Sequence, residues 1–227
     1  MEAIIEINNI KKTYQTGAIS CEALKGISLT VRKGGFISLV GPSGSGKTTA
    51  LNLMGCLDAP TEGKIFLENI DITRLTSSSL TEIRRKKIGF IFQSFNLLQA
   101  LTVYENIELP LLFDDVGVME RRKSVESLME IVGIKEVANH RVTDISGGQQ
   151  QRTAIARALI KKPLFVLADE PTGNLDSENG EAIMELMQGI NASQGVTFII
   201  ATHDPVVMAY ADEVIRFHDG KIAVASS

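Results

Sequence analysis

Apolar positions along the first 93 residues follow the patterns of short strands. Apolar and polar residues alternate over residues 4–10 and 27–31, as in strands with one buried face. Two continuous apolar runs, residues 35–40 and 87–92, are typical of strands buried on both faces of a parallel sheet. A helical pattern over residues 47–56 follows the first run. A strand that leads directly into a helix predicts an α/β sheet.

Between residues 94 and 160 the pattern changes to helical spacing, most clearly over residues 119–131 and 149–160, and no strand is predicted there. Strand character returns in "PLFVLAD", "VTFIIAT" and "EVIRFHDGKIAV", and the "DG" of the last segment suits a tight hairpin turn. We therefore predict a single domain with an α/β core, residues 1–93 and 161–227, and a helical subdomain inserted at residues 94–160.

Composition and charge narrow the class of protein. The chain has 227 residues, of which 44% are hydrophobic and 22% charged, as expected for a globular protein with one sizeable core. A net charge of −4 gives no basic surface for nucleic acid, and no apolar run is long enough to cross a membrane. The acidic, alternating N-terminus predicts no signal peptide. Cys21 and Cys56 fit free thiols in a reducing compartment, with Cys56 in the core. A single disulfide between them is the alternative interpretation.

The segment "GPSGSGKTT", residues 41–49, matches the phosphate-loop pattern G-x-x-x-x-G-K-[ST]. Its glycines let the backbone wrap a phosphate with N–H groups pointing inward, and the following helix N-terminus adds its dipole. Lys47 places a positive charge against the β- and γ-phosphates, and the Thr48 hydroxyl can bind Mg²⁺. The predicted nucleotide-binding residues of the loop are Gly41, Pro42, Ser43, Gly44, Ser45, Gly46, Lys47, Thr48 and Thr49.

A carboxylate pair ends another apolar run. Asp169 and Glu170 close the segment "LFVLADE", which places them at the carboxyl edge of a parallel sheet, where ligands of open α/β folds bind. Asp169 would hold Mg²⁺ through its waters, and Glu170 would polarise the attacking water. An acid pair at a strand end is by itself more often just solvated. Its position downstream of a phosphate loop favours the catalytic interpretation.

The turn Ser146-Gly147-Gly148 leads directly into the predicted helix over residues 149–160. Small flexible residues before a helix N-terminus form an anion site, because unpaired N–H groups and the helix dipole point at the ligand. The chain therefore has two candidate phosphate sites, and the second needs an explanation.

Five segments, "GPSGSGKTT", "FIFQSFNLL", "ISGGQQQR", "LADEPTGNLD" and "ATHD", resemble in this order the motifs of ATP-binding-cassette (ABC) transporter ATPases, across nearly the whole chain. The resemblance implies a P-loop (RecA-like) nucleotide-binding core, an N-terminal antiparallel β subdomain and an inserted α-helical subdomain. It also implies hydrolysis of ATP with Mg²⁺ as the metal. The departures are small: Ile145 replaces the commoner leucine, Gln149 begins a run of three glutamines, and the linking loop reads Gly-Asn-Leu-Asp instead of Ser-Ala-Leu-Asp.

The resemblance implies roles for single residues. Gln93 would contact Mg²⁺ and the attacking water, His203 would contact the γ-phosphate, and Tyr14 would stack its ring on the adenine. Plainer roles stay open, since Gln93 could be a polar strand-end residue, His203 a helix cap and Tyr14 a packing residue. A loop that links two active sites would consist of Asn174, Leu175 and Asp176.

The second phosphate site would act on another copy of the chain. The resemblance implies that two copies pack head to tail as a closed two-fold dimer. The turn of one copy would then close over the γ-phosphate held by residues 41–49 of the other, and hydrolysis would weaken the dimer. The residues that act in this way would be Ser146, Gly147, Gly148 and Gln149.

One cassette without a membrane span implies a separate transmembrane permease, and hence a peripheral place on the cytoplasmic face of the cell membrane. Three stretches, "LADEPTGNLD", "GCLDAPTEGKI" and "FNLLQALTVYENIELPL", are especially similar to the subgroup that serves lipoprotein release, macrolide and peptide export, and cell-division complexes. In that subgroup, ATP-driven closure becomes mechanical motion. A periplasmic or extracellular adaptor is a further partner in that subgroup. The alternatives are an importer subunit and a cell-division ABC ATPase. An ATPase acting on nucleic acid or ribosomes is disfavoured, because the chain has one cassette and an acidic balance.

An apolar cluster just after Gln93 has two interpretations. It could form the core of the helical subdomain, or some of its members could stay exposed as a groove for a short cytoplasmic helix of the permease. The cluster consists of Phe95, Leu97, Leu98, Leu101 and Val103.

Overall fold

The strands form two separate sheets. The computed structural model describes residues 2–17 and 19–223. Its strands are β1 (Ala3–Thr16), β2 (Ile19–Arg32), β3 (Phe36–Val40), β4 (Glu62–Leu67), β5 (Ile70–Asp71), β6 (Ile88–Phe92), β7 (Phe165–Asp169), β8 (Thr197–Thr202), β9 (Glu213–His218) and β10 (Lys221–Ile222). The smaller sheet is antiparallel in the order β2-β1-β4-β5, and the larger has the order β10-β9-β3-β8-β7-β6. Strands β9, β3, β8, β7 and β6 run parallel, and β10 pairs antiparallel at the edge.

Along the described part of the chain, four helices connect successive strands, and three more form one helical block between β6 and β7. They are α1 (Lys47–Met54), α2 (Ser77–Lys87), α3 (Val103–Glu108), α4 (Val118–Val132), α5 (Gly147–Leu159), α6 (Ser177–Gln194) and α7 (Pro205–Met208). Short 3₁₀ turns cover Ile72–Arg74, Leu109–Phe113, Lys135–Val137 and Val142–Asp144. Among the described residues, no helix is long and apolar enough to span a membrane.

The predicted fold class is confirmed: the chain forms a mainly parallel sheet with helices and an antiparallel sheet built from strands of its N-terminal third. The predicted helices over 119–131 and 149–160 correspond to α4 and α5. The predicted hairpin is also present, because Asp219 and Gly220 both have positive φ, as a type I′ turn requires.

Two apolar cores stabilise the molecule. One lies under the helical block, where Phe36 and Phe198 of the sheet pack with Ile155 of α5 and Met129 of α4. The other lies between the two sheets and includes Leu53 of α1. The larger sheet is therefore covered on both faces, which explains why every residue of β3 and β8 is buried.

The strand order places the predicted functional segments side by side. Since β3, β8, β7 and β6 are parallel neighbours, their carboxyl ends meet at one edge of the sheet. The phosphate loop follows β3, His203 follows β8, Glu170 follows β7 and Gln93 follows β6. Residues that are distant in the sequence thus meet at the edge where open α/β folds bind their ligands.

Candidate functional site

The phosphate loop begins where β3 ends and is packed against the C-terminal hairpin. A Cβ atom at Gly41 would clash with the carbonyl oxygen of Phe217 and lie 2.8 Å from Ser45 Oγ, so only glycine fits. The backbone N–H of Gly220 donates to Ser45 O at 3.0 Å. These contacts fix the loop between β9 and the start of α1.

Residues 42–49 line a cleft with a volume of about 730 Å³. Lys47 is 6% exposed, and its ammonium group donates to Gly41 O at 2.7 Å and Pro42 O at 3.1 Å. The loop thus holds a buried cation next to backbone N–H groups, which is the chemistry that a polyphosphate requires. The buried Ser45 hydroxyl has no hydrogen-bond partner among the described residues.

Oxygen ligands suited to Mg²⁺ converge beside the loop. Thr48 Oγ1 donates to Asp169 Oδ1 at 3.1 Å, although the two residues are 121 positions apart in the chain. Burial raises the pKa of the Asp169 carboxyl, and the Thr48 hydrogen bond opposes that shift. Gln93 lines the same cleft. Hard oxygen donors of this kind are the ligands that Mg²⁺ prefers, so these three residues fit the predicted metal.

Glu170 holds a fixed position next to the cleft. Its backbone has φ 46°, which is unusual for a residue with a side chain, and its N–H donates to Ala201 O at 2.9 Å. One carboxylate oxygen accepts from Thr202 Oγ1 at 3.1 Å, and the other lies 2.7 Å from His203 Nδ1. The predicted base and the predicted γ-phosphate contact are therefore direct neighbours.

Gln93 and the predicted linking loop contact each other. Asn174 Nδ2 donates to Gln93 O at 2.9 Å, and Gln93 Nε2 lies 3.4 Å from Asn174 Oδ1. Asp176 caps α6, because its carboxylate accepts from the backbone N–H of Asn179 at 2.8 Å. Leu175 is partly buried against the core under the helical block.

Tyr14 does not line the cleft. Its hydroxyl donates to Asp58 Oδ2 at 2.9 Å, and Lys12 Nζ lies 4.8 Å from the ring centre. Tyr14 is 39% exposed, and its stacking on adenine stays a prediction. The cleft wall from β2 is instead formed by Cys21, Glu22, Ala23 and Lys25.

The residues of the second phosphate site lie outside this cleft. We call residues 146–149 the signature turn. Ser146 caps α5 through a capping box: Gln149 N–H donates to Ser146 Oγ at 3.3 Å, and Ser146 N–H donates to Gln149 Oε1 at 3.0 Å. The turn does not line the cleft, and Ser146 is exposed to solvent.

The apolar cluster after Gln93 divides in two. Val103 is fully buried and Leu97 packs on the core, whereas Leu98 is 48% exposed. Val103 therefore cannot form part of a groove, because it packs inside at the start of α3. Arg157 fixes the segment by donating to Phe95 O at 2.9 Å and to Asn96 O at 2.6 Å.

Sequence reasoning missed two features of the site. The β2 wall, which includes Cys21, carries no motif, and only the packing of β2 against the phosphate loop reveals it. The third glutamine of the run, Gln151, is fully buried and donates to Pro171 O, next to Glu170. The signal that could have found it is helical periodicity, because Gln151 lies on the same helix face as Ala154, Ile155 and Ala158.

A buried strand that opens into a phosphate-wrapping loop, on the same sheet as a carboxylate pair, places the protein among the P-loop ATPases. The comparisons with known proteins give the family. The profile of the family described as "ABC transporter" matches residues 24–173. The chain belongs to this family and is an ABC-type ATPase, the ATP-binding subunit of a transporter.

Individual relatives agree with this assignment. The chain is 48% identical over 223 residues to the uncharacterised ABC transporter ATP-binding protein MJ0796 of Methanocaldococcus jannaschii, covering 96% of this chain and 95% of that protein. It is 45% identical over 221 residues to the macrolide export ATP-binding/permease protein MacB of Syntrophobacter fumaroxidans, covering 96% of this chain and 31% of MacB. The dimeric post-hydrolysis structure of MJ0796 with ADP and Pi superimposes with a TM-score of 0.89 at 44% identity, covering 97% of each chain.

Proposed function

We propose that this protein energises a separate membrane permease for export or mechanotransmission, of the macrolide, peptide or lipoprotein type. The observation that carries the proposal is the 45% identity to MacB, a macrolide export protein in which ATP-binding and permease parts are combined. This chain matches 31% of MacB, and its described residues contain no helix able to span a membrane. A permease is therefore the partner that the match to MacB favours.

The proposed chemistry is hydrolysis of ATP in the cleft. Lys47 and the loop N–H groups bind the phosphates, and His203 contacts the γ-phosphate. Glu170 accepts the proton of the attacking water. Thr48, Gln93 and Asp169 would hold Mg²⁺, which neutralises charge on the phosphates when bound. The hydrogen bonds of Glu170 to Thr202 and His203 orient its carboxylate.

Dimerisation completes the site. The signature turn lies outside the cleft of its own chain, and the related cassette MJ0796 is dimeric. We propose that Ser146, Gly147, Gly148 and Gln149 contact the γ-phosphate bound by the partner copy, with Asn174, Leu175 and Asp176 linking the two sites. ATP then stabilises the dimer, and its hydrolysis releases the two copies.

A groove beside the segment after Gln93 would receive the permease. Its volume is about 420 Å³, and its walls include the stacked rings of Phe90 and Phe92 together with Phe113, which is 70% exposed. Arg157 lines it and also holds the backbone of residues 95–96. Motion of a permease helix in this groove would thereby reach Gln93, which directly precedes the helical subdomain that we place at residues 94–160.

A pull-down from native membranes in gentle detergent, with partners identified by mass spectrometry, tests the proposal. We expect a permease with few spans and a large extracytoplasmic domain, and an adaptor on the periplasmic or extracellular side would be recovered with it. Their recovery would place the protein on the cytoplasmic face of the membrane. A many-span permease with a solute-binding protein would identify an importer, and a partner from the division machinery would identify a cell-division ATPase.

A further inference from the structure

We propose that Gln151 is a positioning residue that couples the signature turn to Glu170 of the same chain. This inference rests on the proposed function, because it requires the signature turn to contact the partner's nucleotide. It concerns the conformational link between the two sites, and Gln151 itself is fully buried and does not line the cleft.

Gln151 lies inside the protein between α5 and the segment that follows β7. Its side chain is fully buried, and Nε2 donates to Pro171 O at 2.5 Å. Pro171 directly follows Glu170, whose backbone is held in the left-handed region at φ 46°. A shift of the Pro171 carbonyl therefore changes the direction in which the Glu170 carboxylate points.

The amide of Gln151 is only half satisfied. Its Oε1 atom is buried and has no hydrogen-bond partner among the residues that the structure describes. A buried amide retained for stability would be expected to use both its donor and its acceptor, since an unpaired buried oxygen is unfavourable. The position therefore favours a residue selected for its one bond to Pro171.

Two further contacts join the signature turn to the same segment. A Cβ atom at Gly148 would lie 2.8 Å from Asn179 Oδ1, and one at Gly147 would lie 3.3 Å from Leu175. Asn179 in turn donates to both carboxylate oxygens of Asp176 at 2.9 Å. The signature turn and Gln151 thus contact residues 171–179 at three points, two from the turn and one from Gln151, and the Gln151 contact is the one next to Glu170.

These contacts define a route for coupling. When the partner's γ-phosphate binds the signature turn, α5 adjusts as a rigid helix. Gln151 lies one turn further along α5 and transmits that adjustment to Pro171, which brings the Glu170 carboxylate into its working position. Hydrolysis in one cleft then depends on whether the signature turn of the same chain is engaged by the other cleft.

The variant Gln151→Met tests the coupling, because methionine keeps the length and volume of the side chain and removes the donor. We expect kcat for ATP hydrolysis to fall about tenfold to a hundredfold, the loss that misplacing a catalytic group causes, with KM changed less than about twofold. The matched control is Gln188→Met. Gln188 also donates to a backbone carbonyl, Tyr210 O at 3.2 Å, but on the exposed side of α6, and turnover should not change.

Dimerisation separates positioning from a merely structural role. In a Glu170→Gln background, addition of MgATP should still produce dimers of Gln151→Met, since the capping box of the signature turn is intact. An unchanged kcat in Gln151→Met would overturn the inference. A fall in kcat that is accompanied by loss of MgATP-driven dimers and by a lower melting temperature would also overturn it. Gln151→Asn, whose shorter amide cannot reach Pro171, replaces the methionine variant if that variant does not fold. Absence of MgATP-driven dimers in Glu170→Gln alone would refute the proposed function instead.

Discussion

At the scale of single residues, Glu170 is held more rigidly than an ordinary strand-end carboxylate. A non-glycine residue in the left-handed region costs free energy and persists only when its surroundings fix it. Here a backbone bond to Ala201 and side-chain contacts to Thr202 and His203 do so. The strained backbone lies at the residue that the motif independently predicts to be the base.

Substitution Glu170→Gln should slow ATP hydrolysis by about a hundredfold or more, because the amide cannot accept the proton of water. ATP binding should remain, and the variant should accumulate as a dimer with MgATP. Phosphate release and size-exclusion chromatography measure the two effects. The control is Glu181→Gln, an exposed carboxylate of α6. Turnover of Glu170→Gln at the wild-type rate would disprove the assignment of the base.

The two cysteines should differ in reactivity. Cys56 is buried, and burial raises the pKa of its thiol to about 11, so about one thiol in a thousand is ionised at pH 8. Cys21 is exposed on the cleft wall. Iodoacetamide should modify one thiol per native chain and two after denaturation, as measured by intact mass. MgATP should slow the reaction of Cys21 with iodoacetamide. An equal rate of Cys21 labelling with and without MgATP would mean that the nucleotide binds elsewhere.

At the scale of elements, α3 and α5 both begin with a capping box. Thr102 caps α3 and Ser146 caps α5, and each forms a reciprocal capping box with the third residue of its helix. The Thr102 box serves its own helix alone, since it lies in the helical block away from the cleft. The Ser146 box is predicted to have a second role, because Ser146 is exposed to solvent and lies outside the cleft of its own chain.

Replacing either cap with alanine should destabilise the protein by about 1 kcal/mol. For a chain of this size, that free energy corresponds to a fall in Tm of roughly 2–4 °C. Thr102→Ala should leave turnover unchanged, whereas Ser146→Ala should lower both turnover and MgATP-driven dimerisation. Thermal melts and ATPase assays on both variants measure this difference. Equal turnover in the two variants would mean that Ser146 acts only as a cap.

Elements with a buried apolar face were predictable from the sequence, and others were not. The helix α2 escaped prediction because none of its residues is fully buried, so it has no periodic apolar stripe, and it starts at the Thr76 cap. The predicted strands at 4–10 and 27–31 are only parts of β1 and β2, and they miss the buried Leu24 of β2. The outer ends of the two strands pair in regular register from Thr13↔Glu22 to Thr16↔Ile19, but the described side chains there form no buried face that a residue pattern could reveal.

At the scale of the whole molecule, the motifs predict which residues meet but not the distances between them. The shared sheet edge follows from the phosphate loop and the acid pair, because parallel strands end together. The 3.1 Å contact of Thr48 with Asp169 and the bond of the Tyr14 hydroxyl to Asp58 depend on tertiary packing. Packing of that kind is set by many weak contacts and has no local sequence pattern.

Composite sites predict complementation between two inactive variants. Lys47→Ala removes the phosphate cation and Ser146→Arg blocks the signature turn, so each homodimer has two defective sites. A mixed dimer has one site with both defects and one intact site. Equal mixing should therefore restore about a quarter of the wild-type rate if pairing is random and the sites are independent. Measurement of ATP hydrolysis in the mixture, against each variant alone, tests the head-to-tail arrangement, and no recovery would contradict it.

The position of β3 in the larger sheet has a consequence for biosynthesis. Both neighbours of β3, the strands β8 and β9, are encoded more than 150 residues later in the chain, and the phosphate loop also rests on Gly220. During synthesis on the ribosome, the apolar residues of β3 are therefore made well before the two strands with which β3 pairs. We therefore expect nucleotide affinity to appear only after β8, β9 and the turn at Gly220 have been made, because β3 and the phosphate loop rest on them.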